Sequence, residues 1–314
     1  MSQPQIREPG VVVGVDESPA AIRAVRWGAA EAESLGKPLT LVHVLDTGVG
    51  TSLAPGPIAA AEVAVQGEAE GRELLADANL IARQCMSGDQ IVHCRLLWGF
   101  PGIVLGSLTR RADLLVLGHR QLGPRRDGPL GSVGAVALQH AHCPVVVVRN
   151  PVPTAADGAV LVGIDGTPSS EWATALAFDE ASRRHATLVA LHAWTYSEVA
   201  DVPSLEESNL RKVGEEILAE RLAGWQERYP DVQVHRVVVE NEPARHLVER
   251  SALAQLTVVG SRGRGRLASL VLGSVSNELI RHGQSPVMVT PAVSRHRRGP
   301  TTLSDPPVAL GHSK

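Results

Sequence analysis

Aromatic side chains are scarce in this chain. Two Phe, two Tyr and five Trp make up 3% of 314 residues, too few for the base-stacking platform of a single-strand nucleic-acid binder. Charge of one sign is not in excess either. Thirty Lys and Arg stand against 33 Asp and Glu, a formal net charge of −3, which gives no reason to expect nonspecific nucleic-acid binding. Cys85, Cys94 and Cys143 are the three cysteines; they form no C-x-x-C pair and suit a reducing cytosol. No apolar run approaches the ~18–20 residues of a membrane span, and the opening MSQPQIREPG lacks the apolar core of a secretion signal. These absences together point to a cytoplasmic protein with no membrane and no nucleic-acid partner. G-x4-G-K-[ST] is missing too, which excludes a Walker-type NTPase.

What is present is a duplication. LTVVGSRGRGRLASLVLGSVS, at Leu256–Ser276, has an earlier counterpart in LLVLGHRQLGPRRDGPLGS at Leu114–Ser132. Gly118 and Gly260 lie 142 residues apart (260 − 118), as do Gly131 and Gly273 (273 − 131). VVVGVDES at Val11–Ser18 matches VLVGIDGT at Val160–Thr167, and His43 matches His192, both at an offset of 149 (165 − 16 and 192 − 43). The second copy is therefore shorter by seven residues (149 − 142) between its second and fourth strands. Solenoid periods run roughly 20–50 residues, so a repeat of this length is a duplicated domain. The expected boundaries are residues 1–150 and 159–291, with a Pro-containing linker at 151–158 and a polar, disordered tail at 292–314.

Each copy reads as five strands alternating with four helices. Val11–Val15 is all apolar, as suits the buried centre of a parallel sheet. Ser18-Pro19 starts a helix that Gly36 ends. A second strand at Leu39–Leu45, a long helix over Ile58–Met86, a third strand at Ile91–Leu97 and a short helix at Pro101–Arg111 follow. The copy closes with strands at Leu114–Leu117 and Val145–Val148 around a helix from Ser132. Alternation with crossover helices predicts an α/β fold of two tandem doubly wound, five-stranded parallel-sheet domains. Val145–Val148 and Val287–Val289 are apolar strands at the ends of their sheets. Such edges are normally covered, so they are expected to pair within or between chains, the latter giving a homodimer.

A ligand in such a fold sits beyond the carboxyl ends of the strands, where strand order reverses. Asp16 and Asp165 end the first strands; Gly118 and Gly260 end the fourth. Gly260, Gly263, Gly273 and Ser274 are spaced G-x2-G-x9-G-S. Glycines allow φ > 0 and close backbone approach to an anion, and Ser274 opens a helix whose N-terminus favours negative charge. Arg262, Arg264 and Arg266 add positive charge around the loop. An aspartate that only caps its turn, and a glycine loop that is only surface, are the plain alternatives. Gly263–Ala268 formally fits G-x-G-x-x-[GA], but the dinucleotide fingerprint follows a first strand and this follows a fourth. His140-Ala141-His142-Cys143 has metal-ligand residue types, yet the second copy keeps only His282, and no metal site is assigned. His43 and His192 read as histidines satisfied in the core. No Ser-His-Asp or paired-carboxylate arrangement stands out, so no catalytic residue is assigned.

Over residues 11–290 the chain resembles a tandem universal stress protein of the ATP-binding, actinobacterial kind. Its G-x2-G-x9-G-[S/T] signature is matched in full at Gly260, Gly263, Gly273 and Ser274. The resemblance implies strand order 3-2-1-4-5 and ATP as the ligand, with Mg²⁺ accompanying it. It implies contacts to the nucleoside from Asp16 and Asp165, beside Gly14 and Gly163, and to the adenine edge from backbone at Val44 and Ala193. Phosphates would be held in the first copy by Gly118, His119, Arg120, Gln121, Gly123, Gly131, Ser132 and Val133. In the second copy they would be held by Gly260, Ser261, Arg262, Gly263, Arg264, Gly265, Gly273, Ser274 and Val275. The first copy departs from the motif, with Gln121 where the second glycine should stand and Gly123 nearby. Two functions stay open: an ATP-binding stress or regulatory protein with its stronger site in the second copy and an unknown protein partner, or an interaction module that uses no nucleotide. A slow ATPase is a lesser third option, because no general base stands out.

Overall fold

The computed structural model describes residues 9–46, 57–119, 130–149, 158–194, 207–263 and 272–292, with backbone only at 57–63 and 207–210. The linker at 151–157 and the tail from 293 lie outside these residues, as does most of the loop after the second strand in each half. The first half runs β1 (Val11–Gly14), α1 (Pro19–Leu35), β2 (Leu39–Leu45), α2 (Pro57–Cys85), β3 (Val92–Trp98), α3 (Pro101–Leu108), β4 (Leu114–Gly118), α4 (Ser132–Gln139) and β5 (Val145–Val148). The second repeats it: β6 (Ala159–Gly163), α5 (Pro168–Arg183), β7 (Leu188–Trp194), α6 (Glu207–Arg228), β8 (Val234–Glu240), α7 (Pro243–Ser251), β9 (Ala254–Gly260), α8 (Ser274–His282) and β10 (Val287–Thr290).

Local signals explain the element ends. Ser18 caps α1 by accepting from the Ala21 N–H, with Pro19 in the first turn. Gly36 in the left-handed region then closes the helix by donating to the Ala32 and Glu33 carbonyls. Thr167 and Pro168 start α5 in the same way. β1 is buried on both faces: Val11 and Val13 pack under α1, Val12 packs on the opposite side, and all three are fully buried.

The strands form one ten-stranded sheet in the order β3-β2-β1-β4-β5-β10-β9-β6-β7-β8. Each half has the 3-2-1-4-5 order, and every neighbouring pair within a half is parallel. Between the halves β5 and β10 pair antiparallel, Val287 against Val147, Met288 against Val146 and Val289 against Val145. The two sheets expected from the sequence are thus joined edge to edge inside one chain. The strands that suggested a homodimer cover each other here, and among the described residues the edges of the sheet are β3 and β8.

Helices cover both faces. One apolar layer carries side chains of α1, α2, α5 and α6 against residues such as Val11, Val146, Met288 and Leu256. The other joins α3, α4, α7 and α8 over Val12, Val145, Val287 and Leu161. Both layers run across the β5–β10 seam, so neither half has a core of its own that ends at the seam. Met288 is 2% exposed and faces Val146 across it. Met288→Ala is expected to cost about 2–5 kcal/mol, the usual range for truncating a buried large side chain. Calorimetry of the wild type is expected to show the halves unfolding in one transition, and two separated transitions would mean that the seam does not couple them.

Candidate functional site

In each half the strand order reverses between β1 and β4, or β6 and β9, so a crevice lies past the carboxyl ends of those strands. Because β5 and β10 are antiparallel, the two crevices open at opposite ends of the sheet.

The end of each first strand is held by three groups. The Ile164 N–H donates to the Leu191 carbonyl at 2.8 Å, and its carbonyl takes a 2.8 Å hydrogen bond from His192 Nδ1. A carbonyl only accepts, so Nδ1 carries the proton. Val15, Val42 and His43 repeat this arrangement, with the same two distances. Each histidine clamps the residue before its aspartate. Asp165 then uses Oδ1 to accept from the Thr167 N–H and hydroxyl at 2.9 and 2.7 Å, while its own N–H donates to Ser170 Oγ at 3.0 Å. Asp16 Oδ1 accepts from the Ser18 N–H and hydroxyl at 3.0 and 2.5 Å. The turn-capping role of both aspartates is therefore real, and it engages one carboxylate oxygen.

The other oxygen of Asp165 faces the glycine loop. A Cβ placed on Gly263 would lie 3.1 Å from Asp165 Oδ2. The carboxylate after the first strand and the loop after the fourth, 98 residues apart (263 − 165), thus converge on one crevice. The loop is closed at its base, where the Gly273 N–H donates to the Ser261 carbonyl at 2.7 Å and Ser276 Oγ to the same carbonyl at 3.2 Å. Ser169 Oγ donates to the Arg262 carbonyl at 2.8 Å, fastening the loop to α5.

Thr167, Ser169 and Ser276 were not singled out from the sequence. The signal available was asymmetry between the copies, since Ala20 stands where the second half has Ser169, and Gly134 where it has Ser276. The loop base is fastened by side-chain hydroxyls that the first half lacks at those two positions.

Among the described residues, no N-cap side chain caps either loop-following helix. Gly131 and Gly273 are the N-cap residues of α4 and α8. The first helical bonds run from Ala135 to Gly131 and from Asn277 to Gly273, each 3.0 Å. The N–H groups of Ser132, Val133 and Gly134, and of Ser274, Val275 and Ser276, therefore lie ahead of the helical ladder, at the positive end of the helix dipole. Ser132, Val133 and Ser274 are exposed there.

Backbone direction places Val44 and Ala193. In β2 the Val42 carbonyl accepts from Val15 on the β1 side, and the Leu45 carbonyl accepts from Gly99 on the β3 side. Strand periodicity turns the Val44 N–H and C=O toward β1, past Gly14, its last residue. Leu191 and Trp194 set the same parity in β7, so Ala193 addresses the space beyond β6. Gly14 and Gly163 sit at the strand ends, and His119 and Ser261, the residues after Gly118 and Gly260, are buried.

One expectation needs correcting. Among the described residues the glycines with positive φ are Gly10, Gly36, Gly99 and Gly166; Gly118, Gly131, Gly260, Gly263 and Gly273 are not among them. Where these motif glycines are needed, the reason is contact distance rather than a left-handed turn. A Cβ on Gly118 would stand 2.5 Å from the backbone carbon and oxygen of Ala20, and one on Gly260 would stand 2.7 Å from Ser169 Oγ. Arg120, Gln121, Gly123, Arg264 and Gly265 lie outside the described residues. No group of three or more His, Cys, Asp or Glu among the described residues is arranged to hold a metal ion. For Mg²⁺, Asp165 is the carboxylate at the second crevice, and one carboxylate with phosphate oxygens is a usual ligand set for that ion.

The model of the universal stress protein family matches residues 10–149 and again 158–291. The chain belongs to the universal stress protein family. A universal stress protein of Mycobacterium tuberculosis is 45% identical over 295 residues, covering 92% of this chain and 99% of its own. One from Mycolicibacterium smegmatis is 41% identical over 288 residues, covering 90% and 97%. Among solved structures, a universal stress protein from Archaeoglobus fulgidus superposes at TM-score 0.70 with 16% identity, covering 92% of this chain and all of the other, which shows the shared fold. Solved structures of shorter universal stress proteins include one in complex with cAMP, matching 44% of this chain at TM-score 0.36, and one from Archaeoglobus fulgidus in complex with dAMP, matching 45% at 0.34. No helix among the described residues is long and apolar enough to cross a membrane.

The contact distances at the two fourth-strand glycines differ in kind, and so should their substitutions. Gly118→Ala meets backbone, which cannot turn away, whereas the nearest atom to a Cβ on Gly260 is a serine hydroxyl. Gly118→Ala is expected to destabilise by about 1–3 kcal/mol, the range for overpacking, and Gly260→Ala by less. Urea midpoints of the two variants check this, and an equal or reversed order would overturn it.

Proposed function

We propose that this universal stress protein binds ATP in the crevice of its second half, and that occupancy biases its conformation or assembly. The observation that carries the reading is the meeting of Gly263 with Asp165 Oδ2 at the mouth of that crevice. A bound nucleotide would have its nucleoside beside Asp165 and the backbone of Ala193. Its phosphates would lie against the Gly263 loop and the first turn of α8. ATP supplies the negative charge that such a helix terminus favours. The chain's own groups here bind and orient: hydroxyls fasten the loop, histidine fixes the strand end, and uncapped N–H groups face the anion. No residue of the crevice is assigned a proton-transfer role.

The first half is the weaker site in this reading. Gln121 replaces the glycine equivalent to Gly263, and Ala20 and Gly134 replace the hydroxyls of Ser169 and Ser276. A charge-assisted hydrogen bond is worth roughly 1.5–3 kcal/mol, and about 1.4 kcal/mol is tenfold in affinity. Loss of one phosphate contact therefore weakens binding by about ten- to a hundredfold. Calorimetry is expected to show one high-affinity ATP site per chain, a loss of that order in Gly263→Ala, little change in Asp16→Ala, and weaker binding of NAD than of ATP. Two equal sites in the wild type, or full binding by Gly263→Ala, would overturn the assignment to the second half. NAD binding tighter than ATP would overturn the choice of nucleotide.

A further inference from the structure

The strands at the seam do not say which half should pair with which. β5 is VVVV and β10 is VMVT; both are buried, and their register is centred on Val146 and Met288. Two first halves, or two second halves from different chains, could form nearly the same apolar pairing. Arg149 crosses the seam to the Ile280 carbonyl, but that acceptor is backbone, and the first half has a carbonyl at the equivalent Leu138 (280 − 142).

A charged cluster beside the seam is not symmetric. Glu31 of α1 and Glu180 of α5 occupy equivalent positions (180 − 31 is 149), are 2% and 3% exposed, and meet through two arginines. Arg183 reaches Glu31 at 2.8 Å and Glu180 at 2.5 Å. Arg184 reaches Glu31 at 2.5 Å and Glu180 at 2.8 Å. Both arginines belong to the second half; the first half has Ser34 and Leu35 at those positions (183 − 34 and 184 − 35 are each 149). Arg183 also donates to Ser34 Oγ at 2.9 Å, so equivalent positions touch across the pseudo-two-fold axis.

We propose that the Glu31–Arg183–Arg184–Glu180 cluster selects the seam's partner, so that a first half accepts only a second half. In that pairing two carboxylates and two guanidinium groups cancel. Two first halves would bury two glutamates with no arginine, and two second halves would bring four arginines to two glutamates. A buried charge left without its partner is strongly unfavourable, whereas the apolar strands treat all three pairings alike. Specificity of this kind comes from what the wrong pairing leaves unpaired.

Burial first, and then the nearby Glu31 carboxylate, push the Glu180 carboxyl up to about 7, against the lowering effect of Arg184 and Arg183. Trp27 lies against the Arg184 guanidinium, Gln255 of β9 hydrogen-bonds it, and Asp179 adds negative charge near Arg183. A carboxyl raised above its unfolded value favours folding most at low pH, and that contribution is lost as pH rises from about 4.5 through about 7. Removing the arginines strengthens that trend.

The test places a thiol reporter at the exposed seam position 34 of the full chain. Ser34→Cys chains are unfolded in urea, refolded at micromolar concentration and treated with a short bis-maleimide crosslinker. Peptide mass spectrometry then counts the links that join position 34 of one chain to position 34 of another, which report first-half pairing between chains. With the native cluster such links are expected to be rare. Adding Glu31→Gln, which removes the repulsion between first halves, is expected to raise them about tenfold or more. The neutral, symmetric seam made by Glu31→Gln, Glu180→Gln, Arg183→Ser and Arg184→Leu is expected to raise them too, and it decides by the same criterion if Glu31→Gln alone does not fold. In a separate chain, Arg183→Ser/Arg184→Leu is expected to lose more of its urea midpoint relative to wild type at pH 8 than at pH 5.5. Equal linkage through position 34 with the native and altered clusters, or abundant linkage with the native one, would overturn the proposal.

Discussion

The antiparallel pairing of β5 with β10 is the constraint on which the rest of the molecule depends. Three paired, buried residues from each half turn two five-stranded sheets into one of ten. They extend both helix layers across the join. Since parallel sheets are stable only when both faces are covered, the seam serves each half as a missing edge and as a share of its core. The pairing also sets the crevices at opposite ends of the sheet, so two ligands bound there would not touch.

Within each half the crevice is built from hydrogen bonds that serve folding first. His192 fixes the end of β6, Thr167 draws one oxygen of Asp165 into the helix cap, and the other oxygen lies on the Gly263 side. Capping and ligand reading had looked like rival roles for this aspartate. A carboxylate has two oxygens and about four lone-pair positions, so capping through one oxygen leaves the two roles compatible.

Several features were legible because they are local or repeated. Ser18-Pro19 and Gly36 mark the ends of α1 by their own cap chemistry. The valine runs mark buried strands, and two aspartates at an offset of 149 mark two crevices. Other features needed the third dimension. Ser169 and Ser276 look like ordinary helix residues until the loop carbonyls at Arg262 and Ser261 are brought to them. Nothing in EAES or DEASRR shows that the helices carrying Glu31 and Glu180 meet.

While the strand order was implied by the family resemblance, the sequence by itself determined the duplication, the α/β alternation and the positions of the two aspartates and the glycine loops at strand ends. Each of these follows from periodicity, capping residues or motif spacing, and such signals act over a few residues or repeat whole. Only the tertiary structure decided that the apolar edge strands pair inside one chain, that Gly118 and Gly260 serve close contact rather than left-handed turns, and that two buried glutamates share two arginines at the seam. Those outcomes depend on which surfaces meet, and VVVV and VMVT are equally ready to meet themselves or each other.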